Sequence, residues 1–119
     1  MRILVIDDDL EIRKLINKIL VSYGHIVEMA TNGKDGINIF RKNPFDLVIT
    51  DLGMPVISGW DVAAKAKNKK AGLPVILVTG WGAEYESKDL TEAGIDAILN
   101  KPFRLDELIK IILEQCPKK

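Results

Sequence analysis

The sequence predicts a three-layer α/β sandwich, a (βα)5 chain doubly wound around one parallel sheet of strand order 2-1-3-4-5. Three observations carry that expectation. Short apolar runs alternate with longer amphipathic stretches along the 119 residues. Several short runs are apolar at successive positions, so both faces of those strands are covered, as in a parallel sheet between helical layers. Glycines and a proline stand where the intervening helices must stop.

The elements follow in order. Residues 3–6, "ILVI", are the first strand. Ile12, Leu15, Ile16, Ile19 and Leu20 repeat at the spacing that turns one helical stripe toward a core. Gly24 caps that helix, and His25 beside it reads as a surface turn residue. Residues 26–30, "IVEMA", form strand two, 34–42 a helix closed by Pro44, and 46–50, "DLVIT", strand three. A helix over 59–69 ends in the basic run "KAKNKK", whose cations suit the negative end of the helix dipole. Residues 74–79, "PVILVT", are strand four, 84–93 a helix capped by Gly94, and 95–100, "IDAILN", strand five. Leu105, Leu108, Ile109, Ile112 and Leu113 repeat the core-facing stripe in the last helix. No repeat, linker or low-complexity tract interrupts this plan, so residues 1–119 are expected to form a single domain.

The composition, 47% hydrophobic and 29% charged, is that of an ordinary soluble protein. Seventeen basic residues balance seventeen acidic ones, leaving no global field to draw nucleic acid or an anionic membrane. No apolar run approaches the ~20 residues of a membrane span, and no signal peptide precedes the first strand. Cys116 is the sole cysteine, so no intrachain disulfide exists, and a cytoplasmic location is expected.

In an open parallel sheet the functional crevice lies beyond the carboxyl ends of the strands, where strand order reverses. Strand one runs into Asp7, Asp8 and Asp9, strand three into Asp51, strand four into Thr79, and strand five into Lys101-Pro102. In the order 2-1-3-4-5 those ends are neighbours. Each residue alone has an ordinary structural use. An Asp caps the next helix, a Thr closes a turn, and a Lys pairs with a nearby acid. Together they converge on one spot, and carboxylates so gathered need a neutralising charge. Oxygen-only ligands point to a hard divalent cation, Mg2+ rather than zinc. Lys101 adds an ammonium and Thr79 a hydroxyl, which completes a cradle for a phosphoryl group. One carboxylate can then act as a nucleophile and form an aspartyl phosphate.

With those motifs in place, the sequence resembles the receiver domain of two-component response regulators over essentially its whole length. The carrying stretches are "ILVIDDD", "DLVITDLGMPVISGW", "VILVTGW" and "AILNKPF". The resemblance implies the flavodoxin-like fold and makes Asp51 the phosphoacceptor. It further implies that Asp7 and Asp8 hold Mg2+ with Asp51 and the backbone carbonyl of Gly53, and that Thr79 and Lys101 contact the phosphoryl oxygens. A cis Lys101-Pro102 bond is also implied. The implied partner is a sensor histidine kinase or histidine phosphotransfer protein, with an unknown downstream effector reading the surface from strand four to helix five. Such a domain is a signalling switch that assists its own phosphorylation and loses the group to water. It is not an enzyme acting on a separate substrate.

Three positions depart from the family pattern. Ile98 stands where an aromatic switch residue is frequent, and it has no polar tip to exchange between solvent and core. Gly53 offers no side chain to the phosphoryl group, whereas Trp81 places a large ring two residues after Thr79. That ring serves either as a lid or docking contact or as loop packing, whereas Trp60 reads as a packing residue of helix three. The rival reading is a phosphatase of the haloacid-dehalogenase kind, in which Asp7 is the nucleophile and Asp9 the general acid. It leaves Asp51 and the following "GMP" unexplained. A flavin-binding reading fails on the three carboxylates, because a phosphate wants hydroxyls and free N–H groups there. Asp9 is expected to open helix one instead. The chain runs only to "EQCPKK" after the last helix, so no effector domain is expected within it.

Overall fold

The computed structural model describes residues 1–54, 56–80 and 87–116. Five parallel strands, β1 (Arg2–Ile6), β2 (Ile26–Ala30), β3 (Leu47–Asp51), β4 (Val75–Thr79) and β5 (Ala97–Asn100), form one sheet in the order β2-β1-β3-β4-β5. The helices are α1 (Leu10–Ser22), α2 (Gly33–Lys42), α3 (Gly59–Lys69), α4 (Ser87–Glu92) and α5 (Leu105–Gln115). Side chains alternate across each strand, which divides the apolar runs into two cores. Ile3, Val5, Leu47, Ile49, Ile76, Val78 and Leu99 pack with the buried residues of α1 and α5. Leu4, Ile6, Val48, Val75 and Leu77 pack with those of α2 and α3. Strands β1, β3 and β4 are therefore covered on both faces. Each fully buried aliphatic side chain there contributes about 1.5–3 kcal/mol against exposure.

The helix ends follow their local chemistry. The Asp9 carboxylate caps α1 by accepting from the N–H of Glu11 at 2.9 Å and of Ile12 at 3.4 Å. Asn32 caps α2 through the N–H of Asp35, and Asp61 accepts from the N–H of Ser58 at the start of α3. Gly24 and Gly94 close their helices at φ +86° and +87°, where a side chain is strained. Gly59 serves a steric need. A Cβ there would lie 2.6 Å from the Asp51 carbonyl oxygen, so only glycine lets α3 start against the end of β3.

The structure departs from the sequence expectation in two places, the start of β5 and the width of the helix stripes, and a third expectation falls outside the described residues. Strand β5 begins at Ala97 rather than at residue 95, because the preceding residues close a turn. The Ile95 N–H bonds to the Leu90 carbonyl, and the Asp96 carboxylate accepts from Val75 N–H and the Lys67 ammonium. Helix α4 is described over Ser87–Glu92 only, so the expected start at 84 lies outside the described residues. The apolar stripes are also wider than the core they serve. Ile16, Ile19, Leu20, Leu108 and Ile112 are buried, but Leu15, Leu105 and Leu113 are exposed. Two helices lying side by side on one sheet face cannot turn all of such a broad stripe inward. Among the described residues no helix is long and apolar enough to cross a membrane.

Candidate functional site

Asp7, the first residue beyond β1, is held from three sides. Its N–H donates to the Ala30 carbonyl of β2, its Oδ1 accepts from the Asp9 N–H at 2.8 Å, and its carbonyl accepts from Arg13 Nη1 at 2.8 Å. The Asp7 side chain is buried, whereas its neighbour Asp8 is exposed. Asp51, the last residue of β3, is buried opposite Val78 of β4. One residue further along β4, Thr79 is also buried, and its carbonyl accepts from the Lys101 N–H at 2.9 Å. That bond carries Lys101 over the end of the sheet. Its Nζ lies 3.2 Å from Asp51 Oδ1 and 3.5 Å from Asp7 Oδ2. The Lys101-Pro102 peptide is cis, in agreement with the expectation.

Oxygens of Asp7, Asp8 and Asp51 lie within 4.8 Å of one another. Among the described residues Lys101 pairs with two of these three carboxylates, so the cluster keeps an excess of negative charge. Among the described residues the buried Asp7 Oδ2 has no hydrogen-bond partner, and the lysine at 3.5 Å gives it an ion pair. Burial pushes the Asp7 carboxyl up from 3.8 to about 6. The Asp9 N–H bond and Lys101 oppose that shift, and Asp51 and Asp8 add to it. Burial of Lys101 works against its charge, but Asp7 and Asp51 outweigh burial and raise its pKa. An oxygen-lined, over-charged cluster with a buried lone pair lacking a donor is suited to a hard divalent cation.

One prediction follows from Asp7 alone. A carboxyl whose pKa rises from 3.8 to about 6 on folding binds a proton more readily folded than unfolded. Metal-free stability therefore falls as pH rises from 3.8 to about 6, and stays lowered above that. Asp7→Asn, which removes the charge and nearly keeps the shape, is expected to stabilise the metal-free protein at neutral pH by roughly 1–3 kcal/mol. The gain should vanish near pH 4. Urea denaturation at the two pH values, in chelator, measures both halves of the statement.

The sequence model of the response regulator receiver domain matches residues 3–113, and the chain belongs to that family, the receiver domains of two-component signal transduction. Its curated relatives include the probable transcriptional regulatory protein SilR of Salmonella typhimurium, 36% identical over 92% of this chain and 48% of that protein. Another is the sensor histidine kinase RcsC of Salmonella typhi, 35% identical over 91% of this chain and 11% of that protein. The chain thus spans about half the length of the regulator and a small part of the kinase. Among solved structures, the response regulator TrrA of Thermotoga maritima, in complex with Mg2+-BeF, superposes with a TM-score of 0.85. It is 35% identical, with 96% of this chain and 97% of that one covered.

Of the residues singled out from sequence, Asp7, Asp8 and Asp51 cluster, Lys101 pairs with Asp7 and Asp51, and Thr79 at the end of β4 is tied to Lys101 through its carbonyl. Gly53 is exposed at the start of the β3–α3 connection. Ile98 is half-buried against the α2–α3 core and Trp60 packs on the same cluster, whereas Trp81 lies outside the described residues. Sequence reasoning missed Arg13. Its position six residues after Asp7 carries no motif, and only the turn of α1 brings its guanidinium to the Asp7 carbonyl.

Proposed function

We propose that this domain takes a phosphoryl group onto Asp51 from a phosphohistidine of a sensor histidine kinase or histidine phosphotransfer protein. The observation that carries the proposal is the convergence of three carboxylates and one lysine beyond the ends of β1, β3 and β5. An Asp51 carboxylate oxygen attacks phosphorus in line with the nitrogen–phosphorus bond. That bond breaks, and the imidazole leaves as it takes a proton. Lys101, at 3.2 Å from Asp51, neutralises charge on the equatorial oxygens, and the Thr79 hydroxyl donates to one of them. Asp7, Asp8, Asp51 and the Gly53 carbonyl would hold Mg2+, which when bound would offset the charge of the cluster and of the phosphoryl oxygens. Water later attacks the acyl phosphate and returns Asp51 to its free form.

Drawing Thr79 toward the phosphoryl group biases the surface from β4 to α5 between two arrangements, and an effector reads the difference. Ile98 on that surface supplies packing and no hydroxyl, so the readout runs through Thr79 without a tyrosine-like exchange. The domain acts in the cytoplasm as one unit over residues 1–119, and it contacts neither nucleic acid nor membrane itself. The relatives support the partner class, since one is a regulator and another a histidine kinase.

The test is to incubate the protein with acetyl phosphate and Mg2+, trap the acyl phosphate with borohydride, and map the product by mass spectrometry. Modification at Asp51 is the expected result. Modification at Asp7 with steady turnover of an aryl phosphate would replace this reading with the phosphatase, and no modification at all would end it.

A further inference from the structure

We propose that Arg13 is a positioning residue for the divalent cation: by holding the Asp7 carbonyl, it sets the direction in which the Asp8 carboxylate leaves the chain. This role rests on the reading of Asp7, Asp8 and Asp51 as a Mg2+ site. The register of β1 with its neighbours ends at Ile6, opposite Ala30 of β2 and Thr50 of β3. The carbonyl of buried Asp7 therefore lies past the last paired residue, where a missing donor is costly. Half-buried Arg13, in the first turns of α1, donates Nη1 to that carbonyl at 2.8 Å. A guanidinium bonds most strongly to carboxylates. Arg13 nevertheless makes no ion pair among the described residues, so its bond to the Asp7 backbone is not the by-product of a contact with the acidic cluster.

The carbonyl of Asp7 and the N–H of Asp8 belong to one planar peptide. Fixing the carbonyl oxygen fixes that plane, and with it the base from which the Asp8 side chain projects. Asp8 needs such a constraint. It is exposed, and its carboxylate makes no hydrogen bond or ion pair among the described residues. Yet one of its oxygens lies within 4.8 Å of oxygens of Asp7 and Asp51. The Asp7 side chain has a direct tie of its own, the Asp9 N–H on Oδ1. Asp8 is placed through its backbone instead, and Arg13 is the side chain that holds the peptide entering it. A ligand whose direction is set before the cation arrives loses less freedom on binding it.

Titration with Mn2+ followed by electron paramagnetic resonance, without any phosphoryl donor, tests this. Mn2+ takes the same oxygen ligands as Mg2+ and reports its own binding. Arg13→Met keeps the apolar stem of the arginine, removes the donor, and is expected to weaken Mn2+ binding about tenfold. Charge alone predicts the reverse, because losing a positive charge beside the acidic cluster favours a bound cation. Arg13→Lys returns both a donor and the charge, and it is expected to recover most of the affinity. A urea denaturation midpoint checks that each variant folds. A plain brace between α1 and β1 would lower that midpoint in Arg13→Met and leave Mn2+ affinity where it was. That outcome overturns the proposal, as does tighter binding by Arg13→Met or no recovery in Arg13→Lys. All three leave the metal site itself standing, since the unmodified chain still binds. Absence of Mn2+ binding by the unmodified chain removes the Mg2+ site, and the role of Arg13 falls with it.

Discussion

Asp51→Asn is expected to take up no phosphoryl group from acetyl phosphate, while keeping the fold and Mg2+-independent properties of the unmodified chain. The amide oxygen of Asn is a poor nucleophile and cannot give an acyl phosphate, so the loss is complete rather than partial. Asp51 lies at the last position of β3, is nearly fully buried, and faces Lys101 at 3.2 Å. An amide fills the same space and can still accept from the lysine, so the substitution separates chemistry from architecture. Removing one of three crowded carboxylates also relieves repulsion on Asp7, which should leave stability unchanged or slightly higher. Borohydride trapping with peptide mapping reads the first part, and a denaturation curve reads the second. Modification that moves to Asp7 in this variant would transfer the nucleophile's role to β1.

The second large effect is a contrast between adjacent aspartates. Asp8→Ala is expected to abolish Mg2+-dependent phosphorylation, whereas Asp9→Ala should leave it intact and cost about 1 kcal/mol of stability. Asp8 contributes an oxygen to the three-carboxylate cluster and caps nothing. Asp9 stands outside that cluster and spends its carboxylate on the N–H groups of Glu11 and Ile12. Mg2+ titration of the phosphorylation rate separates a lost ligand from a lost helix cap, because only the former raises the Mg2+ concentration required. Equal loss of phosphorylation from both variants would favour the D-x-D phosphatase arrangement, in which Asp9 works on the substrate.

Much of the fold is legible in the residues because its signals are local. "ILVI" and "VILVT" are apolar at consecutive positions, and only a strand covered on both faces has a use for that. Gly24 and Gly94 sit where the structure places positive φ, and Asp9 does cap α1. The errors arise where a signal is not local. Ile95 looks like the start of a strand, yet its N–H closes the turn after α4. Leu15, Leu105 and Leu113 fit the core-facing stripe, yet whether a stripe residue is buried depends on how two neighbouring helices divide one sheet face.

The sequence by itself determined the order of elements, the placement of acidic and basic groups at strand ends, and hence the gathering of Asp7, Asp8, Asp51 and Lys101. Short-range chemistry suffices for that: apolar periodicity sets the strands and helices, and right-handed crossovers then leave one plausible sheet order. What only the tertiary structure decided is how unequal those groups are. "IDDDL" reads as three similar carboxylates, but folding buries Asp7, leaves Asp8 in water and commits Asp9 to a helix. The burial of Asp7 and the distances from Asp7 and Asp51 to Lys101 depend on chain segments far apart in sequence.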